Sequence, residues 1–295
     1  MSTHAQQIAL VLLVLVSPWM AAVQSPAAGR EQQASSEARQ AAGTVAQIQR
    51  ADYEGNRTLL RQLYGELKPS EGGELSAGLH YWRGFALWRR VFNGFNDKVE
   101  AGELEADLVA ALAEFRAAIK QRPSFVDAKV GAISCLQVLA SLNRDNSDKL
   151  KLFVSEFQQY FKESLVEQPD NPRLHWVLGA QQWFMSRQSG GTEDAAIATY
   201  QKGLQLARQQ KLAKDPLEPS WGEPELLMSL AWGNLNRQKP DLQAAERYAK
   251  EALALVPYWR YLRDILMPQI RDAIVKTLSG VSRFAGTVEE GAQDK

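Results

Sequence analysis

The sequence has almost no cysteine, no surplus of either charge and hardly any long apolar run, and each shortage removes a class of protein. One cysteine, Cys135, stands in 295 residues, so an intrachain disulfide and a cysteine-built zinc site are both excluded. The 34 Lys and Arg residues balance 34 Asp and Glu. Proteins that hold polyanions by charge carry a basic surplus, so nucleic acid is not expected as a partner. Histidine is scarce too, and beyond His4 only His80 and His175 remain. There is no H-E-x-x-H, no C-x-x-C and no G-x-x-x-x-G-K-[ST]. Neither a metal nor a cofactor is expected, and no grouping of acid, base and nucleophile suggests an enzyme.

The one apolar run, Ile8 to Val16, is nine residues long, too short to span a membrane comfortably. Ser17-Pro18 and Ala21-Ala22 follow it, which matches the core and flank of a secretory signal peptide, although no Lys or Arg precedes the run. Residues 1–29 are therefore expected to direct export, to the periplasm or the medium. The alternative is an uncleaved anchor over residues 8–23. After cleavage no stable membrane insertion is expected. Residues 30–44, rich in Ala, Gln, Ser and Glu, predict a flexible spacer or a loosely held helix.

Helical periodicity fills the rest. Val45, Ile48, Tyr53, Leu60, Leu63 and Leu67 favour helix with a possible break at Gly55. From Leu75 onward apolar residues recur at three- and four-residue spacing, and no segment alternates as a strand would. The breakers predict helices over 74–95, 105–121, 124–142, 147–167, 172–188, 192–209, 224–237, 241–255 and 258–278, with Pro268 kinking the last. The expected fold is all-α, a repeat domain over residues 45–280 with a flexible tail over 281–295.

Small residues return in the same order through this region, though the spacing between them is not uniform. Arg83-Gly84 precedes Ala111, Phe115, Ala118 and Pro123. Gly131 precedes Phe157, Phe161, Ser164 and Pro169, and Leu178-Gly179 precedes Ala196, Tyr200 and Gly203. Trp232-Gly233 precedes Ala245, Ala249, Ala252 and Pro257. On these residues the chain resembles the tetratricopeptide repeat (TPR) family, whose unit of about 34 residues is a helix–turn–helix. The resemblance covers roughly residues 79–257. It implies an α-solenoid of about four hairpins, with N-terminal helices before it and a capping helix after it.

In that family one stripe of the first helix of each hairpin lines a concave groove. Carried over, the resemblance implies Tyr81, Phe85, Trp88 and Arg89 in one hairpin, and Arg173, Trp176, Trp183 and Phe184 in another. Aromatic faces flanked by arginine would suit a protein or peptide partner, whose identity the sequence does not give. The competing expectation is that these aromatics are core. A small-molecule-binding, transport-accessory protein is the alternative function, and an enzyme on a helical solenoid the least favoured. Glu163-Ser164 resembles the acid–serine pair of lytic transglycosylases, but the downstream segment of that family is missing.

Overall fold

Helices in this chain start at side-chain caps and stop at residues that cannot continue them. Asn56 shows both halves of that rule. Gly55 adopts φ +72°, which ends the preceding helix, and Asn56 Oδ1 accepts from Leu59 N at 3.0 Å to start the next. Asn146 and Asp241 cap later helices in the same way.

The computed structural model describes residues 26–69, 74–189, 193–210 and 215–290. The chain divides into two units, residues 1–37 and 38–295. The first contributes the described helical residues 26–37, and the second contains every hairpin. The expected signal run, residues 8–16, and the anchor segment 8–23 lie outside the described residues. Among the described residues there is no strand, and no helix is long and apolar enough to cross a membrane.

Helix α1 is Pro26–Glu54 and α2 is Arg57–Glu66. Four antiparallel hairpins follow: α3 (Glu74–Asn96) with α4 (Ala101–Gln121), α5 (Val126–Leu142) with α6 (Ser147–Glu167), α7 (Pro172–Ser189) with α8 (Glu193–Gln209), and α9 (Glu223–Asn236) with α10 (Leu242–Leu255). Residues 30–44 are helical, the second of the two expected forms, with Ala41 buried. Two expectations change. The last helix continues to Glu290, through most of the expected flexible tail. The expected kink at Pro268 is a π-helical turn, Leu262–Leu266, before α11 (Met267–Glu290). Pro268 has no N–H for the carbonyl four residues back, and Met267 N–H reaches Leu262 O, five back, so the widened turn absorbs the mismatch.

The hairpins pack closely because their glycines are contact points. A Cβ on Gly84 would stand 2.9 Å from Phe115, and one on Gly131 would also strike Phe115. The ring is thus held between the first helices of two successive hairpins. Gly179 faces Tyr200 in the same manner, and a Cβ on Gly233 would stand 2.7 Å from Ile197. Ala111, Ala118, Ala245, Ala249 and Ala252 are fully buried in the second helices, where their size sets the close approach.

One hairpin departs from the pattern. Helices α4 and α8 pack on the helix that follows them, but α6 makes little or no contact with α7. Its first repeat position carries Phe157, stacked on Phe161 at 5.6 Å, where the other second helices have alanine. Ser164 is its one buried residue. Bulk at the docking face holds α7 away.

Candidate functional site

The face expected to form an open groove is occupied by the chain itself. Residues 215–222, which lead into α9, fold across the first helices and bring Leu217 and Trp221 into the interior. Trp82 Nε1 donates to Leu217 O at 2.7 Å, and Trp221 Nε1 donates to Tyr81 Oη at 2.6 Å. The Trp221 ring lies 5.7 Å from Phe85, 5.6 Å from Trp88 and 5.8 Å from Trp176. Helix α1 approaches as well, with Tyr53 Oη donating to Glu225 Oε1 at 2.7 Å and its ring 4.9 Å from Trp259.

This closure corrects the groove expectation for most of its residues. Tyr81, Phe85 and Trp88 are fully buried core. Burial holds the Tyr81 hydroxyl well above its usual range, so it stays protonated. Arg173 is also buried, pairing Asp127 and donating from Nη1 to Trp221 O at 2.9 Å. It staples the covering segment down rather than facing a partner. Trp183 packs on Trp232 at 4.9 Å beside Gly233. Arg89, Trp176 and Phe184 have a different setting, because each lines a recess.

The inner recess measures about 530 Å³ and lies among α3, α5, α7 and α9, with Trp259 and Tyr261 at its C-terminal side. Its walls include Phe92, Trp176, Tyr200 and Trp232. Its floor is polar. Arg89, buried against the rings of Phe85, Trp88 and Phe92, donates from Nε to Asp52 Oδ2 at 2.7 Å. Asn93 Nδ2 donates to Asp52 Oδ1 at 3.0 Å. Burial lifts the Asp52 carboxyl to about 6, against the lowering effect of Arg89 and with a further upward push from Glu225. Ser134 Oγ accepts from Trp88 Nε1 at 3.1 Å, and Ser229 Oγ accepts from Trp176 Nε1 at 2.9 Å.

The outer groove, about 580 Å³, lies where α6 stands off α7. Leu136, Val138, Phe153, Phe157, Phe184 and Met185 line it. Phe184 is 57% exposed, Met185 48%, Phe95 43% and Val154 40%, a concentration of large apolar side chains left open to water. The two recesses share Phe95, Gln137, Val138 and Ala180, so one continues into the other.

The sequence reading missed Asp52, Phe92, Trp232, Trp259 and the covering Trp221. A tryptophan between Pro219 and Pro224 was the available signal, since a rigid loop carrying the largest apolar side chain favours docking it.

The titratable residues elsewhere are structurally paired. His80 Nδ1 lies 2.6 Å from Glu114 Oε2, and Arg83 bridges the same carboxylate at 2.8 Å. His175 Nε2 meets Pro169 O at 2.9 Å, and burial lowers its pKa, keeping the ring neutral. Glu163 pairs Lys129 at 2.9 Å, while the Ser164 hydroxyl is buried without a partner. Burial pushes the Cys135 thiol far up, away from the reactive thiolate. Among the described residues no three His, Cys, Asp or Glu side chains group as a metal site.

No family model matches the chain, and no curated protein matches it. A solved structure, that of a thermophilic TPR protein in Thermus thermophilus, is similar at 16% identity and a TM-score of 0.46, covering 81% of this chain and 99% of that one.

Proposed function

We propose that the chain is a non-enzymatic, exported scaffold that holds an apolar segment of a protein or peptide partner in the outer groove. One observation carries this reading: the groove between α5, α6 and α7 keeps Phe95, Val154, Phe184 and Met185 exposed together. Leaving such side chains in water sacrifices roughly 25 cal/mol for each Å² of apolar area, which a partner's apolar face would recover. Site-specific photo-crosslinking tests it. A probe at Phe184 should yield a partner adduct that a probe at Lys151 does not, and identical patterns at both positions would overturn the groove. Export rests on the residue 8–16 run, and N-terminal sequencing of the protein from a periplasmic fraction tests that separately.

A second reading, a small organic ligand in the inner recess, is favoured by a different observation. That recess is ringed by aromatics over a floor of buried polar groups, the arrangement typical of small-molecule sites.

A further inference from the structure

The floor of the inner recess has more hydrogen-bond donors than the protein uses. Arg89 is only 5% exposed, yet only Nε donates to a protein acceptor; both terminal nitrogens lack one among the described residues. Neither nitrogen is sealed from the cavity as a dry unsatisfied atom would be. Ser134 and Ser229 point the same way. Each hydroxyl oxygen accepts an indole N–H, and neither hydroxyl donates to a protein acceptor among the described residues. All three residues line the same recess. Donors that open on a recess and have no protein acceptor can meet the acceptors of a ligand.

We infer that the inner recess anchors a carboxylate on Arg89, Ser134 and Ser229, with the apolar body it belongs to lying against Trp176, Trp232 and Trp259. The choice of carboxylate follows from counting. Two guanidinium nitrogens and two hydroxyls exceed the two lone pairs of a single carbonyl oxygen, whereas a carboxylate offers about four acceptor sites in the fork geometry that guanidinium prefers. A cation is disfavoured because the polar groups left over at the floor are donors, while both Asp52 oxygens already accept hydrogen bonds, from Arg89 and Asn93. The aromatic walls set the rest of the ligand as apolar. A body longer than the recess continues past Phe95, Val138 and Ala180 into the outer groove. The same group can come from a free amphiphilic acid or from the end of an apolar peptide.

This inference rests on the reading that the inner recess takes a ligand, and the test separates the two. Binding to the purified full chain is measured by calorimetry and tryptophan fluorescence for matched pairs: decanoate against decanamide, and a short Leu-Phe-terminated peptide as free acid against its C-terminal amide. The expected result is a preference for the acid of about tenfold or more in one pair, the equivalent of one charge-assisted contact. The pair that shows it identifies the source. The neutral double variant Asp52→Asn/Arg89→Gln should abolish that preference, and binding of the amide that is still detectable reports that the recess is folded. Equal affinity for acid and amide, or a preference that survives the double variant, overturns the carboxylate anchor while the recess reading stands. Binding of none of the four removes both.

Discussion

Phe115 sits between Gly84 and Gly131, and the consequences of that contact can be measured one methyl group at a time. Gly131→Ala places a Cβ into the ring, which should destabilise the protein by about 1–3 kcal/mol. Gly43, mid-helix in α1 with nothing within 4 Å of a Cβ, should instead gain about 0.5–1 kcal/mol on substitution by alanine. Urea midpoints of the two variants must move in opposite directions. Those glycine slots were legible because a glycine in the first helix followed by the spaced small and aromatic residues of the second is itself the repeat pattern. The Asp52 environment was not, since its desolvation comes from elements far away in the chain. Facing Arg89, Asn93, Tyr53 and Glu225, this carboxyl is lifted from 3.8 to about 6 in the fold. Between those values the folded state holds a proton that the unfolded state has released. The group's contribution to stability is therefore full at low pH and is lost as pH rises through about 6. The wild-type stability minus that of Asp52→Asn should fall by on the order of 2–3 kcal/mol from pH 4 to pH 7 and stay level above. A difference that rises with pH would mean that the pairing with Arg89 outweighs burial and holds the carboxyl below its usual range.

At the scale of elements, α6 is the weak member. Phe157 occupies the slot that alanine fills in α4, α8 and α10, and the helix buries Ser164 alone. What secures it is the ion pairing of the buried Lys129 with Glu163 and Glu167, together with Arg116 and Glu156 at 2.5 Å. Few buried apolar contacts imply low-energy local opening. Hydrogen exchange should therefore run faster at the α6 amides of residues 152–162 than at those of α4 residues 107–117, by about tenfold or more. Lys129→Met removes the cation from between two carboxylates and should widen that difference, whereas exchange in α10 should not change. Helix boundaries here were readable from Asn146 and the Pro169–Pro172 pair. The standing-off of α6 was not, because aromatic residues in a repeat slot predict a contact without saying whether the next helix can reach it.

For the molecule as a whole, an open stack of hairpins would unfold piecewise, since each repeat touches only its neighbours. The second unit of this chain adds contacts between distant elements. Tyr53 of α1 reaches Glu225 of α9 and packs on Trp259, and Gln49 Nε2 donates to Ser220 Oγ at 3.2 Å. Trp221 unites Tyr81, Phe85, Trp88 and Trp176 from α3 and α7. This is also why the repeat was legible while its concave face was not. Helix periodicity reports the pairing of neighbours, but nothing local in Tyr81 or Trp88 records that a segment some 140 residues away will cover them. The closure predicts a single cooperative transition in urea, with helix content by circular dichroism and tryptophan fluorescence changing together. Trp221→Ala should cost about 3–5 kcal/mol through the cavity it leaves. It should also separate the two signals, because α3 and α7 would lose the side chain that couples them. If Trp221→Ala lowered the midpoint and left the two probes coincident, cooperativity would reside in the hairpin interfaces alone, and the covering segment would be packing without coupling.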